Sequence, residues 1–137
     1  MRYSPARGNA KRGSLIRMSD AVWPDVAAQI ELISVADAAA VLGVTVTRVS
    51  QYLRDGTLVG LRRAGESPLV PADLLQGAAV VKGLPGTITL LRDAGYQDHE
   101  IVAWLFRADD LLLGTPIQAL RANRGREVKR RAQVSGY

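Results

Sequence analysis

Between Glu31 and Gly56 the apolar positions recur with a helical period that is interrupted once. Val35, Ala38, Ala39 and Leu42 stand at i, i+3, i+4 and i+7, which places them on one face of a helix. Ser34 followed by Asp37 has the form of a capping box, with Asp where Glu is usual. Gly43 supplies the C-terminal stop, and Val44 reads as a buried turn residue. Thr45 can cap a second helix, Val46 to Asp55, which Gly56 ends. Two short helices joined by so tight a turn make a helix-turn-helix. On a wheel of about 100° per residue, Val46, Val49, Tyr52 and Leu53 gather on the inner side. Thr47, Ser50, Gln51, Arg54 and, at the margin, Arg48 face outward.

After the second helix the pattern changes period. LVGLRR, AGES and PLVP read as two apolar pieces around a glycine-containing turn, a β-hairpin. Pro68 and Pro71 confine its second strand to a short edge. Arg62 and Arg63 lie near the tip, and successive strand residues point to opposite faces. A hairpin placed directly after a recognition helix is a wing, set to reach phosphate or the minor groove.

Residues 72–137 return to the helical period. Pro85 marks a first turn ahead of TITLLRDAG, which Gly95 stops, and Asp98 is expected to cap HEIVAWLF. Thr115-Pro116-Ile117-Gln118 combines a cap, a first-turn proline and a capping-box Gln. A last helix is expected from about Gly125 to Val134. Ile101, Trp104 and Leu105 share a face suited to core packing. Upstream, residues 20–30 hold a short helix after Asp25, with Trp23 as an anchor. The organisation that follows is a flexible basic arm (1–19), a winged helix-turn-helix region (20–76) and a C-terminal helical region (77–137). The fold class is mainly α with a small β-hairpin wing. The helical extension packs on the motif as one domain, because some forty residues of winged motif bury too little apolar surface alone.

Composition narrows the chemistry. The 137 residues are 47% hydrophobic, too apolar for a wholly disordered chain. There is no Cys and one His, His99, so disulfides, thiolate zinc sites and multi-histidine metal sites are excluded. Neither a membrane span nor a signal-peptide core is visible, which suggests a soluble, cytoplasmic protein. The net charge of +5 conceals an uneven distribution. Residues 1–17 carry +5, residues 121–131 another +5, and the remainder −5. Within that acidic remainder, residues 45–63 hold Arg48, Arg54, Arg62 and Arg63 against Asp55 alone, a local +3. Arg outnumbers Lys fifteen to three, a bias that fits planar contacts to phosphate and equally a high-GC genome. The cluster Arg124 to Arg131 reads either as a DNA flank or as a solvated helix end with a Glu127–Arg131 pair.

Catalytic readings are poorly supported. Asp98 and Glu100 suit the first turn of a helix, where carboxylates complement the dipole, and His99 between them reads as exposed. Asp109-Asp110 lacks a cation-loop signature, and Gly83-Leu84-Pro85-Gly86 lacks the Gly-Lys-Ser/Thr end of a phosphate loop. The expectation is a non-enzyme with no cofactor and no metal.

The stretch from Glu31 to Leu75 resembles the winged helix-turn-helix of excisionase-type and MerR-like DNA-binding proteins. The resemblance rests on Ser34-Val35-Ala36-Asp37-Ala38-Ala39, Leu42-Gly43-Val44-Thr45, Val49, Leu53, Gly56 and Pro71. With KGLPGTITLLRDAGYQDHEIVAWLF and REVKRRAQ added, the whole chain is similar to a small actinobacterial family of winged-helix DNA-binding proteins associated with a Ser/Thr protein kinase. That resemblance implies binding of double-stranded DNA and phosphorylation of the N-terminal arm. The arm's serines are Ser4, Ser14 and Ser19, and no threonine precedes Thr45. Trp104-Leu105, Gly114-Thr115-Pro116, Leu120 and Arg126-Glu127-Val128 also resemble the toxin-binding module of Xre-type antitoxins, which implies a toxin-like protein partner.

The function expected from the sequence is therefore a sequence-specific or semi-specific DNA-binding transcriptional regulator. Thr47, Arg48, Gln51 and Arg54 would read bases or hold phosphates, Thr45 and Ser50 would position the helix, and Arg62 and Arg63 would serve the wing. The alternative is an antitoxin-like or kinase-regulated protein-interaction module.

Overall fold

The computed structural model describes residues 25–135. The 1–19 arm with Ser4, Ser14 and Ser19, and the Trp23 anchor, lie outside the described residues. Asp25–Gln29 forms a short 3₁₀ helix where the sequence suggested a short helix after Asp25. Strand β1 (Leu32–Ser34) then leads without a break into α1 (Val35–Leu42). Ser34 Oγ accepts the Asp37 amide at 2.9 Å, the first half of the expected capping box. Gly43, at φ +70°, turns the chain in the left-handed region that a side chain would resist. Helix α2 (Val46–Asp55) follows.

The hairpin expectation needs correction. Strand β2 (Leu69–Pro71) meets the preceding arm only at Leu61, where the two residues exchange N–H···O bonds of 2.9 and 2.8 Å between Leu61 and Leu69. Its full partner is β1, antiparallel, with Leu32 opposite Pro71, Ile33 opposite Val70 and Ser34 opposite Leu69. So β2 is flanked on both sides and is not a free edge. The wing is thereby tied to the strand that feeds α1. Gly60 makes this possible: a Cβ there would lie 2.6 Å from the Leu69 carbonyl oxygen.

Beyond a 3₁₀ turn (Ala72–Leu74), β3 (Leu75–Gln76) and β4 (Ala79–Val80) make a second small antiparallel pair. Four helices complete the chain: α3 (Leu84–Asp93), α4 (Asp98–Leu105), α5 (Pro116–Arg121) and α6 (Gly125–Ser135). Thr115 caps α5 as expected, its Oγ1 accepting the Gln118 amide while Gln118 Oε1 accepts the Thr115 amide. Asp98 does not cap α4. Gln97 is the cap residue, its amide donating to Glu100 Oε1 at 2.8 Å, and Asp98 lies inside the first turn. The carboxylate that reaches back is the one three residues into the helix, as the geometry of a helix start favours.

One hydrophobic cluster spans both regions. Ala38, Val49, Leu58, Val70 and Leu74 from the winged motif join Leu84, Ile88, Leu91, Ile101, Leu105, Ile117, Leu120 and Val128 from the helical extension. Each large aliphatic side chain buried in this way contributes roughly 1.5–3 kcal/mol, so the motif draws a major part of its stability from the extension. No described helix is long and apolar enough to cross a membrane.

Two arginines stitch the regions together as well. Arg121 of α5 donates to the carbonyl oxygens of Asp73 (2.9 Å) and Leu75 (2.7 Å). Gln76 Nε2 returns a bond to the Arg121 carbonyl. Arg92 of α3 makes a similar contact to α2, described below.

Candidate nucleic-acid interface

Helix α2 owes its placement to small residues beneath it and polar groups at its ends. Val49 is fully buried against α1, whose Ala38 and Ala39 leave room for close approach. At the N-terminus, Thr45 Oγ1 accepts the Arg48 amide at 3.0 Å, so Thr45 is the cap. At the C-terminus, the Tyr52 carbonyl accepts from the amides of Gly56, Thr57 and Leu58. The next two carbonyls would end without helical partners. Arg92 takes both: Nη2 donates to Leu53 O at 3.0 Å and Nη1 to Arg54 O at 3.1 Å. Asp98, 3.0 Å from the same guanidinium, holds it in place. A cation at this end also complements the helix dipole.

The outward face of α2 is as the wheel predicted, with two adjustments. Thr47, Arg48, Gln51 and Arg54 are exposed, and Ser50 is half-buried. Val46, expected on the inner side, is 50% exposed. It is the first residue of the helix, and its side chain leans toward the N-terminus of α2, beyond the packed turns. Asp55, the single acid of α2, is exposed at the helix end, where its Oδ1 accepts both the Thr57 amide (3.1 Å) and the Thr57 hydroxyl (2.8 Å). Those bonds, with lesser help from Arg54 and Arg92, hold its pKa below the ordinary 3.8. The exposed face of α2 presents hydroxyl, amide and guanidinium groups, with one carboxylate at its C-terminal end.

The wing separates its two arginines. Arg62 is exposed near the tip, whereas Arg63 is only 9% exposed. The tip closes with the Glu66 amide on the Arg63 carbonyl (3.0 Å), and Gly65 takes φ +78°.

The other candidate clusters are engaged in the fold. Asp98 pairs with Arg92, Glu100 caps α4, and His99 is half-buried rather than exposed. Asp109 accepts the Leu111 amide at 2.9 Å and pairs with Arg131 at 3.0 Å. Glu127 pairs with Arg124, not with the expected Arg131, because Asp109 claims that arginine from across the loop. Of the six cations in residues 121–131, Arg121, Arg124 and Arg131 are thus occupied structurally, and Arg126, Lys129 and Arg130 stay exposed. The bridging roles of Arg92 and Arg121 had no local signal in the sequence, since their acceptors lie 38 to 48 residues away.

Comparison with known proteins agrees with this architecture. Residues 19–75 match the family described as the winged helix-turn-helix domain of DNA-binding protein Rv2175c. Residues 81–136 match the Rv2175c C-terminal domain of unknown function. The chain is 39% identical to the DNA-binding protein Rv2175c of Mycobacterium tuberculosis, over 98% of this chain and 97% of that one. It superposes on the NMR structure of Rv2175c with a TM-score of 0.71, at 37% identity and the same coverage. A winged motif and a helical extension sharing one core, matched end to end by one relative, mean that the chain belongs to the Rv2175c family of winged helix-turn-helix proteins.

Proposed function

We propose that this protein binds double-stranded DNA as a sequence-specific or semi-specific transcriptional regulator, with α2 in the major groove. The observation that carries the reading is the exposed face of α2, where Thr47, Arg48, Gln51 and Arg54 stand together and the single acid, Asp55, comes at the end of the helix and is bonded to Thr57. Arg and Gln can make paired hydrogen bonds to guanine and adenine edges, and Thr and Arg can hold phosphates. Thr45 and Ser50 position the helix. Arg62 supplies the wing contact to the backbone, and Arg63 braces the wing from within. The relative's own name, a DNA-binding protein, supports the same reading.

Residues 20–76 are the DNA-binding region in this proposal. Residues 77–137 brace it through the shared core, Arg92 and Arg121. The five cations of residues 1–17 add sequence-independent attraction. A phosphate on Ser4, Ser14 or Ser19 would subtract about 1.5–2 charges from that arm and weaken binding to all sequences alike. A Ser/Thr kinase acting there would be a regulator of affinity rather than of sequence choice. The setting would be the cytoplasm.

The test is a salt titration of duplex binding by fluorescence anisotropy. With Arg54 and Arg62 alone on phosphates, affinity should fall about 12-fold between 50 and 200 mM salt. Engagement of the arm's five cations should steepen the fall to roughly 10⁴-fold, and removal of residues 1–17 should restore the shallower slope. A flat response in the intact chain would reject the proposal.

A further inference from the structure

We propose that the loop between α4 and α5, with the cleft beside it, is a docking surface for an acidic, leucine-bearing segment of a partner protein. The first observation is conformational. Leu113 is 88% exposed and holds φ +59°, a left-handed conformation that bulky residues rarely adopt. Leu111, two residues earlier, is 69% exposed. Among the described residues, neither leucine is part of the hydrophobic core or packed against it.

The second observation is that the display is built. Leu112, between the two, is buried and anchors the loop. The Asp109 amide donates to the Gly114 carbonyl at 2.8 Å and closes the loop at its base. Asp109 accepts the Leu111 amide, Arg131 holds Asp109, and Arg124 donates to the Leu112 carbonyl at 3.1 Å. The two leucines are therefore held out in a fixed arrangement, which lowers the entropy a partner must remove on binding.

The third observation is charge. The cleft beside the loop is lined by Lys82, Arg126 and Arg130, together with Leu111, Val134, which is 53% exposed, and one carboxylate, Glu127, that Arg124 pairs. Among the described residues none of these three cations shares an ion pair, unlike Arg124 and Arg131 in the same cleft. Cations beside fixed leucines fit a segment that alternates carboxylates with apolar side chains. Residues 1–17 of this chain, with five cations and no acid, do not complement the cleft in charge. A second copy meeting this face symmetrically would bring together two surfaces with the same excess of cations. A nucleic-acid backbone would match the cations and leave the leucines in water.

The test is to pan a random 16-residue peptide library against the intact chain and measure the selected peptides by anisotropy. Enriched peptides should carry at least two carboxylates and a leucine-sized residue. Leu113→Asp and Arg126→Glu should each weaken their binding tenfold or more, with duplex-DNA affinity within twofold of the parent. Arg126 lies in the first turn of α6, where a carboxylate suits the dipole, and Leu113 is exposed, so both variants should keep the parent's melting temperature. Peptides without carboxylates, or binding unchanged in both variants, would overturn the proposal. So would a tenfold loss of DNA affinity in Arg126→Glu, which would make the face a nucleic-acid contact. A concentration-dependent dimer abolished by Leu113→Asp would overturn it in favour of self-association.

Discussion

Arg92 reaches across 39 residues of sequence to place its Nη2 3.0 Å from the carbonyl oxygen of Leu53, at the end of the proposed recognition helix. The same guanidinium takes the Arg54 carbonyl and is itself held by Asp98. A helix end that a short motif would leave to water is fixed by the C-terminal region. The extension thus does more than fill the core: it sets where α2 stops and how it is aimed.

Arg92→Ala should therefore cost about 1–3 kcal/mol in urea denaturation, because two carbonyls lose their donors and Asp98 loses its counter-charge. Arg92→Lys should recover part of this, since an ammonium cannot span both carbonyls with the fork of a guanidinium. Equal stability of the parent and the alanine variant would show that water replaces the contact without loss.

Gly60→Ala should be among the most damaging single-methyl additions. The new Cβ would meet the Leu69 carbonyl at 2.6 Å, within the pairing that joins the wing to its base. A loss of about 1–3 kcal/mol is expected, with the wing displaced. The check is the urea midpoint, together with amide exchange at Leu61 and Leu69, which should quicken.

The two wing arginines should behave as opposites. Arg62→Ala should leave stability within about 0.5 kcal/mol and reduce the salt dependence of duplex binding by about one phosphate contact. Arg63→Ala should act chiefly on stability, through lost packing in the wing. Identical profiles for the two would mean that burial does not divide their roles.

Stability should decline on acidification, and Asp109 should be one source. Burial pushes its carboxyl up, but the Arg131 hydrogen bond and the Leu111 amide outweigh this and hold it below the ordinary 3.8. A carboxylate with a depressed native pKa contributes stability at pH values above 3.8 that is lost as pH falls through the native value. Urea midpoints measured from pH 7 to pH 2 should fall over the acid end. Asp109→Asn should begin lower at pH 7 and fall less steeply. Parallel curves for the two proteins would remove Asp109 from the explanation.

What could be read from the sequence was local. Ser34, Gly43, Thr45, Gly56 and Thr115 act within four residues of their partners, so the bounds of α1, α2 and the start of α5 follow from side-chain chemistry alone. The outward set on α2 followed from period; Ser50 is half-buried and Val46 is exposed, where the helix had just begun. What could not be read was pairing at a distance. Leu32–Ser34 is three residues long and merges into a helix, so nothing marked it as the main partner of Leu69–Pro71. The hairpin expectation paired Leu69 with its nearer neighbour and was right for that single bridge. The basic tail misled in a similar way: counted along the chain it is one block, yet Arg121, Arg124 and Arg131 point into three different contacts.

The most direct test of α2 as a reading helix is the ratio of affinities for a duplex selected from random DNA and for a scrambled duplex. The ratio should be measured for the parent and for the double variant Arg48→Ala with Gln51→Ala. Loss of base contacts should cut the ratio by about tenfold or more, with affinity for scrambled DNA reduced far less. A double variant that keeps the parent's ratio, however much its overall affinity falls, would contradict the assignment.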